Sequence, residues 1–365
     1  MKKKAAALYD PYLDTLGGGE KHILSILKVL EDEGCNINIF WDENLQAEIE
    51  SKLDLDFSFQ IPFYPNIFKS SPSFFKKLRT LKKFDYFFYV TDGSYFFSRA
   101  KRNFIFCMVP KKELYSMNFL NRFKTQNFTF IANSKFTQAW LSNWGIKASV
   151  IYPYLSSKFI NTEIPLLKKK EIILSVGRFF SHLHSKQQTE IVEAFKKLKE
   201  KYPAFRNFKL VLAGGFKKED LPYLNRLGQI TKNDPAIILK PNISFTELFK
   251  LYQEASFFWH FTGFGIDDKK SPELVEHLGI TPMEAMATGC ITFCYQAGGP
   301  KELIKDGKNG FLFTQKEELF RKMSTILKDN LAQRRIQKAA QAFVRENFSY
   351  GVFKRKVKEI ILSPT

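Results

Sequence analysis

Residues 171–202, EIILSVGRFFSHLHSKQQTEIVEAFKKLKEKY, give the clearest indication of the fold class. Residues 171–176 form an apolar run that predicts a buried strand, and this run ends at Gly177-Arg178. After a polar loop, apolar residues recur at helical spacing over 186–202, which predicts an amphipathic helix opened by Lys186. A strand, a loop and a helix in this order are the repeating unit of a parallel sheet.

The same alternation continues on both sides of residues 152–170. That segment carries two prolines and a run of three lysines, which indicates a linker. Predicted strands lie at 5–9, 36–41, 86–90, 103–109 and 128–132 before it, and at 209–213, 236–239, 256–259 and 291–294 after it. Predicted helices lie at 22–30, 136–144, 244–254, 281–287, 317–327, 332–347 and 351–362. Strands that alternate with helices predict βαβ units.

We therefore predict an α/β chain with two Rossmann-like, doubly wound domains that face each other across a cleft. The first domain spans 1–155, the linker 156–170 and the second domain 171–347. The final segment, 348–365, is predicted to be a helix that packs back toward the first domain. Doubly wound sheets bind ligands at the carboxyl ends of their strands, so the loops that follow strands should carry the site.

Composition excludes several classes of protein. The chain has 365 residues and is 44% hydrophobic, which excludes collagen-like and wholly disordered chains. No apolar run approaches the roughly 18 residues of a membrane-spanning helix. The apolar start at 5–9 is too short for the core of a signal peptide, so we expect a cytoplasmic protein. Four cysteines without CxxC spacing predict neither a structural zinc site nor a disulfide framework.

The net charge of +19 indicates a polyanionic partner, such as nucleic acid, an anionic membrane surface or a phosphorylated substrate. The alternative is compositional drift, because lysine greatly exceeds arginine and phenylalanine is abundant. Between residues 67 and 147, however, 15 Lys and Arg stand against 3 Asp and Glu, interleaved with aromatics. This concentration favours peripheral binding to anionic lipid. The competing interpretation is that the aromatics fill the core and the lysines are solvated.

The densest motif is residues 276–289, EHLGITPMEAMATG. Thr281 is a good N-cap and Pro282 suits a first helical turn, so a helix should begin there, after Gly279. Free backbone amides at such a start form a phosphate site, and Glu276 would reach over it. The plainer interpretation is a capping box in which Glu284 only holds the cap.

Three further segments follow predicted strands. Arg178 and Lys186 are two cations at one strand's carboxyl end and could clamp a diphosphate, although each could also be a solvated surface charge. The stretch Gly17-Gly18-Gly19 is either a flexible turn or a loop whose backbone approaches a ligand. Asp92, in an Asp-Gly turn, could supply a polar group to a second substrate. His182 and His184 are interpreted as polar loop residues rather than metal ligands.

Together these motifs resemble the retaining nucleotide-sugar glycosyltransferases of family four, which have the GT-B fold. The stretch Phe258-Trp259-His260 ahead of Glu276 resembles the branch near the lipid-linked-oligosaccharide α-1,2-mannosyltransferases. The matching segments run in family order over nearly the whole chain: Gly17–Glu20, Asn133-Ser134, Gly177-Arg178 with Lys186, Leu212–Gly215, Glu276 with Glu284, Gly298–Glu302 and Asn309-Gly310.

The resemblance implies a metal-independent hexosyltransferase with no cofactor besides its nucleotide-sugar substrate. The first domain would be the acceptor side and the second the donor side. A glycan or a lipid-linked molecule would be the acceptor, at the inner face of the membrane. The implied catalytic residues are Glu276, Arg178 and Lys186; the donor-binding residues are Gly17, Gly18, Gly19, Gly177, Gly279, Ile280, Thr281 and Glu284; the acceptor-side residue is Asp92.

One departure keeps a second hypothesis open. Many relatives carry a histidine shortly before a proline in the first domain, where this chain has Cys107-Met108-Val109-Pro110. The alternative is therefore a non-catalytic carbohydrate- or polyanion-binding protein on a decayed scaffold. Nucleic-acid binding would require Arg-rich recognition elements, which the sequence does not contain, so we expect no nucleic-acid partner.

Overall fold

Two parallel sheets organise the chain. The structure, a computed structural model, describes residues 3–69, 73–163, 169–180 and 185–363. One unit comprises Met1–Tyr154 with Gly351–Thr365, and the other comprises Leu155–Tyr350. His182, His184 and part of the predicted linker lie outside the described residues.

The sheet of the first unit has the strand order β3-β2-β1-β4-β5-β6-β7, and all its neighbouring strands are parallel. The chain builds outward from β1 in one direction and then from β4 in the other. The switch point therefore lies between β1 and β4. The strands are β1 (Ala5–Tyr9), β2 (Asn36–Phe40), β3 (Phe63–Tyr64), β4 (Tyr86–Val90), β5 (Arg102–Cys107), β6 (Phe128–Ala132) and β7 (Ala148–Val150).

The sheet of the second unit repeats this plan with the order β10-β9-β8-β11-β12-β13, again all parallel. Its switch point lies between β8 and β11. The strands are β8 (Lys170–Val176), β9 (Lys209–Gly214), β10 (Ile237–Pro241), β11 (Ala255–His260), β12 (Ile291–Tyr295) and β13 (Phe311–Phe313).

Helices connect the strands, as parallel pairing requires. In the described residues they are α1 (Gly18–Asp32), α2 (Gln46–Leu53), α3 (Phe74–Leu81), α4 (Phe119–Thr125), α5 (Lys135–Asn143), α6 (Ser157–Ile160), α7 (Gln188–Lys201), α8 (Leu221–Thr231), α9 (Phe245–Glu254), α10 (Ile280–Ala287), α11 (Pro300–Leu303), α12 (Lys316–Leu327), α13 (Asn330–Phe348) and α14 (Tyr350–Val357). Short 3-10 turns lie at Leu13–Thr15, Lys112–Tyr115, Pro203–Phe205, Lys218–Asp220 and Pro272–Leu274, and a π turn at Lys358–Leu362.

Both faces of each sheet are covered, and strand β4 shows the consequence for sequence. Its five residues, YFFYV, are all buried. Phe88 belongs to the core on one face, while Phe87 and Tyr89 belong to the core on the other. Because successive side chains point to opposite faces, a strand covered on both sides becomes a continuous apolar run. The predicted α/β, doubly wound fold is confirmed.

The end of the chain completes the core of the first unit. Phe353, Val357 and Ile361 are buried among the side chains of α1 and the neighbouring strands. The Arg102 guanidinium on β5 donates hydrogen bonds to the backbone oxygens of Ile361 at 2.6 Å and Ser363 at 2.7 Å. These bonds satisfy carbonyls that the last helical turn leaves without intrahelical donors.

Two local predictions were wrong. The glycines at 17–19 do not form a free turn, because α1 already begins at Gly18. Helix α7 begins at Gln188, so Lys186 precedes the helix rather than opening it. In the stretch after Tyr154, the short helix α6 buries Phe159. In the described residues no helix is long and apolar enough to cross a bilayer.

Candidate active site

The switch point of the second sheet brings three predicted or suspected site residues together. Lys186 follows β8, His260 ends β11, and Glu276 lies in the loop after β11. The Lys186 Nζ donates to Glu276 Oε2 at 2.7 Å, and His260 Nε2 lies 3.0 Å from the same oxygen. One carboxylate oxygen of Glu276 therefore contacts both the lysine ammonium and the histidine ring. These contacts link the two halves of the sheet at the switch point, which is where such folds bind ligands.

The cluster is largely shielded from water, and this sets its charge state. Burial alone would raise the pKa of Glu276, but the Lys186 ammonium and the His260 ring hold that pKa well below its usual range. Burial lowers the pKa of His260, an effect that its hydrogen bond to Glu276 only partly offsets. At neutral pH the glutamate is therefore ionised, and a neutral His260 donates its Nε2 proton to it.

Gly177 leaves space for the side chain of Lys186. A Cβ atom at Gly177 would lie 2.4 Å from Lys186 Cγ, so only glycine lets the lysine stem cross the end of β8 toward Glu276. The neighbouring Arg178 is 42% exposed, lies over the Phe180 ring at 4.5 Å and is 3.9 Å from the buried carboxylate of Asp220. Arg178 is thus held beside the cluster but outside it, with a solvent-facing guanidinium.

Helix α10 starts at Ile280, with Gly279 as its N-cap in a left-handed conformation (φ +108°). The capping box predicted for Thr281 and Glu284 is wrong, because Thr281 is already inside the helix. Instead, Glu284 Oε2 accepts a hydrogen bond of 2.8 Å from the Tyr252 hydroxyl. The first-turn amides of α10 have no intrahelical acceptor, and they follow Glu276 closely in the chain.

A glycine pair supports the Glu276 loop from behind. The amide of Gly299 donates to the Glu276 carbonyl at 2.7 Å. A Cβ atom at Gly298 would lie 2.1 Å from that same carbonyl oxygen. Asp268 accepts from the Gly298 amide at 2.8 Å and from Lys301 Nζ at 2.5 Å, which fixes the glycine loop in turn. The segment at 298–302 therefore positions the backbone that carries Glu276.

The corresponding edge of the first sheet is acidic and less well compensated. Glu20 Oε2 accepts from the Gly17 amide at 2.7 Å and so caps α1. Burial raises the pKa of Glu20, and it raises the pKa of Asp10, at the end of β1, to about 8. Asp10 Oδ2 is buried and has no hydrogen-bond partner in the described part of the chain. Gly19 lies against Met108, whose Sδ would be 2.4 Å from a Cβ there.

Asp92 lies at the carboxyl end of β4, across the switch point from Asp10. Its Oδ1 accepts from the Tyr89 hydroxyl at 2.5 Å and from the Ser94 amide at 3.0 Å. Gly93 follows in a left-handed conformation, as an Asp-Gly turn requires. The Asp92 carboxylate therefore stabilises its own turn. The residue is half-buried, and only its solvent-exposed part could contact an acceptor.

Sequence reasoning ranked two site residues too low or missed them. His260 is absent from the predicted site residues, although its place directly after a predicted strand is a usable signal. Tyr252 was missed, because nothing in a helical tyrosine marks a hydrogen bond to a glutamate 32 residues later. In the described residues no group of three or more His, Cys, Asp or Glu side chains is arranged to hold a metal ion.

Two doubly wound parallel units of this kind define the GT-B class. A glycosyltransferase structure from Rickettsia africae superposes over 100% of both chains with a TM-score of 0.74 at 18% identity. An Anabaena structure in complex with UDP and glucose covers 100% of both chains with a TM-score of 0.67 at 18% identity. The model of the family "Glycosyl transferases group 1" matches residues 157–343, more than half of the chain. The chain therefore belongs to that family, as its motifs predicted.

Curated relatives match at low identity and over part of their length. A mouse GDP-Man:Man(3)GlcNAc(2)-PP-Dol alpha-1,2-mannosyltransferase is 30% identical over 221 residues, which are 56% of this chain and 42% of the relative. The Rhizomucor pusillus alpha-1,3/1,6-mannosyltransferase ALG2 is 30% identical over 39% of this chain and 34% of its own. The chain thus spans less than half the length of these relatives.

Proposed function

We propose that the chain is a retaining glycosyltransferase that moves a hexose from a nucleotide-sugar to a glycan or lipid-linked acceptor. The observation that carries this proposal is the cluster of Lys186, Glu276 and His260 at the switch point of the second sheet. The ionised, largely buried Glu276 carboxylate can accept hydrogen bonds from sugar hydroxyls. The adjacent Lys186 and the nearby start of helix α10 can bind a diphosphate.

The residues would divide the work as follows. Lys186 and Arg178 would neutralise the departing diphosphate, together with the first-turn amides from Gly279 to Thr281. Glu276 would accept hydrogen bonds from hydroxyls of the transferred sugar. Glu284, oriented by Tyr252, would accept them from the ribose. On the first unit, the start of α1 at Gly17–Gly19 would approach the donor, and Asp92 would serve the acceptor.

The reaction would replace one bond to the anomeric carbon by another on the same face of the sugar. The bond from the anomeric carbon to the phosphate oxygen breaks, and a bond to the acceptor oxygen forms. The acceptor's proton passes to the departing diphosphate oxygen. The protein contributes positive charge and oriented dipoles rather than a base, in line with the low pKa of Glu276, which makes that carboxylate a weak proton acceptor.

Mannose is our first candidate for the sugar, and a lipid-linked glycan is our first candidate for the acceptor. The support is that several curated relatives are named as mannosyltransferases, one of them for a substrate written with PP-Dol. We further propose that the protein works in the cytoplasm, peripherally bound at the inner face of a membrane. The support is the excess of 15 basic over 3 acidic residues at 67–147.

Thermal unfolding with UDP, GDP, ADP and their glucose and mannose conjugates tests the donor. Each ligand should raise the midpoint as ln(1 + [L]/Kd), and the true donor should do so at the lowest concentration. Lys186→Ala should remove the rise, whereas Lys197→Ala, an exposed lysine of the same unit, should leave it unchanged. With that donor and a lipid-linked acceptor, the product's anomeric proton signal should report retention of configuration.

A non-catalytic carbohydrate- or polyanion-binding protein is the second candidate. The observation that favours it is that the stretch Cys107-Met108-Val109 before Pro110 lacks the histidine that many relatives carry there. That protein would bind glycan or nucleotide but form no product with any donor and acceptor pair. Product formed with an inverted configuration, or identical nucleotide binding by Lys186→Ala and the intact chain, would contradict the proposed function.

A further inference from the structure

Two short helices of the first unit expose an unusual set of apolar side chains. Phe75 is 79% exposed on α3 and Phe119 is 89% exposed on α4. Phe97 lies between the helices, with its ring 5.8 Å from Phe74 and 5.6 Å from Phe123. The two helices therefore present one continuous surface, which we call the aromatic face: Phe74, Phe75, Phe97, Phe119, Leu120 and Phe123.

The exposed aromatic residues of α3 and α4 lie on helices with well-defined N-caps. The Ser73 hydroxyl accepts from the Lys76 amide at the start of α3, and the Asn118 side chain accepts from the Asn121 amide at the start of α4. Each cap fixes where its helix begins, and apolar residues occupy the first turn in both cases. Soluble proteins seldom leave contiguous apolar patches uncovered, so such a patch marks an interaction surface.

The charge around this face is of one sign. Helices α3 and α4 contain no acidic residue. Exposed cations lie on these helices, directly after α3 and two residues after Phe97, and none of them forms an ion pair within the described residues: Lys76, Arg79, Lys82, Lys83, Arg99 and Arg122. The segments that carry the exposed rings therefore also carry positive charge that no ion pair in the described residues neutralises. The interpretation that these aromatics fill the core holds for Tyr95, which is buried, but is wrong for the aromatic face.

We propose that the aromatic face docks on the surface of an anionic lipid bilayer. Phenylalanine and leucine side chains insert into the boundary between headgroups and acyl chains, while neighbouring lysines and arginines attract the anionic headgroups. A second copy of this chain fits less well, because pairing two such faces would oppose cations to cations. The observed pattern of rings and cations matches a surface that is apolar within and negative at its boundary.

The docked face is connected through packed rings to the edge of the sheet in the same unit. Phe96, next to Phe97, lies 5.0 Å from the Tyr89 ring, and the Tyr89 hydroxyl binds Asp92. A bilayer under the aromatic face would therefore hold a lipid-linked acceptor near the carboxyl end of β4. This last step rests on the proposed transferase activity, whereas docking itself rests only on the membrane association proposed above.

Flotation of the full chain with vesicles tests the proposal. The vesicles contain equal parts of phosphatidylglycerol and phosphatidylcholine, or phosphatidylcholine alone, across a salt series. One variant combines Phe75→Ser with Phe119→Ser, and another combines Lys76→Gln, Arg79→Gln and Lys82→Gln. The matched controls are Leu331→Ser, at an 80% exposed leucine of the second unit, and Lys197→Gln with Lys232→Gln and Lys250→Gln.

The intact chain and both controls should bind anionic vesicles, with binding that weakens as salt rises. The aromatic variant should bind at least about tenfold more weakly, and the charge variant roughly a hundredfold more weakly. Both should keep the nucleotide-induced rise in thermal midpoint, so a failure of docking is distinguishable from a failure of the proposed function. Absent vesicle binding, or equal binding by all variants, overturns the proposal. So does a concentration-dependent dimer that Phe75→Ser with Phe119→Ser dissociates, because the face would then be a contact between copies.

Discussion

The two sheets end in edges of opposite electrostatic character. In the second unit, Lys186 and His260 compensate Glu276 and keep its pKa well below the usual range, against the effect of burial. In the first unit, burial raises the pKa values of Asp10 and Glu20, and no ion pair in the described residues opposes it. The same fold plan thus yields one edge with fixed cations and one at which burial keeps Asp10 largely protonated.

This difference fits a division between donor and acceptor. A nucleotide diphosphate needs fixed cations, and the second edge supplies Lys186 and Arg178. A hydroxyl group needs hydrogen-bond partners rather than fixed cations, and the first edge offers the Asp92 side chain and a largely protonated Asp10.

Glu276→Gln should break the charged edge most severely. It removes the negative charge that Lys186 and His260 face, and it replaces one acceptor oxygen by a donor. We expect turnover to fall by about a hundredfold or more, with the thermal midpoint little changed. Steady-state kinetics and thermal unfolding measure the two effects, with Glu273→Gln in the same loop as control. Normal turnover with a lowered midpoint would make Glu276 a structural residue.

Lys186→Ala should weaken nucleoside-diphosphate binding by one to two decades, since a charge-assisted contact contributes about 1.5–3 kcal/mol. Arg178→Ala should act in the same direction but less strongly, because its guanidinium is 42% exposed and screened by water. Lys186→Arg should restore little, since a planar fork does not replace a point charge above Gly177. Calorimetric titration with the donor nucleotide measures all three. If both alanine variants lost the same affinity, solvent exposure would not determine how much each cation contributes to binding.

Asp10→Asn tests the edge of the first sheet through the pH dependence of stability. The folded-state pKa of Asp10 is about 8 against 3.8 for the free side chain, so the folded state retains a proton that the unfolded state loses. Stability should therefore fall as pH rises from about 4 to about 8 and level off above this range. The asparagine variant should lack this part of the slope and exceed the intact chain at alkaline pH. Thermal midpoints across pH check this, with exposed Asp14→Asn as control.

Tyr252→Phe should have the smallest effect. It removes the hydroxyl that donates to Glu284 and leaves the buried ring in place. We expect KM for the donor to rise roughly threefold to tenfold, with kcat nearly unchanged, because one hydrogen bond orients the carboxyl group that we propose for the ribose. Tyr202→Phe, with a partly exposed ring in the same unit, is the control. An unchanged KM with a lowered thermal midpoint would leave Tyr252 with a structural role only.

The sequence was sufficient for the two-sheet plan, because buried parallel strands are continuous apolar runs, as YFFYV in β4 illustrates. It also identified Lys186 and Glu276, which the fold brings within 2.7 Å although they are 90 residues apart. Helix starts were less predictable. Gly18 and Gly19 are poor helix formers, so the sequence does not indicate that α1 begins there. In the structure the Glu20 side chain caps the helix start, and Met108 packs so close to Gly19 that no side chain would fit.

The remaining errors concern pairings that depend on tertiary structure. The Thr281 capping box is locally reasonable, but the left-handed Gly279 shifts the helix start and frees Glu284 for Tyr252. Likewise, the aromatic and basic sequence of residues 67–147 is compatible with either a buried core or an exposed surface. Only the packing of Phe97 between α3 and α4 shows that the neighbouring rings face outward. Such contacts join residues far apart in the chain, and no local pattern encodes them.

The return of the chain's end into the first unit has a consequence for biosynthesis. Phe353, Val357 and Ile361 fill the core of a unit whose other residues precede Leu155. On the ribosome, the whole second unit must emerge before those three side chains become available. Until then the core of the first unit lacks these three side chains, while the second unit is one uninterrupted stretch of chain. Assembly order along the chain is thus inverted: the unit translated first is the one finished last.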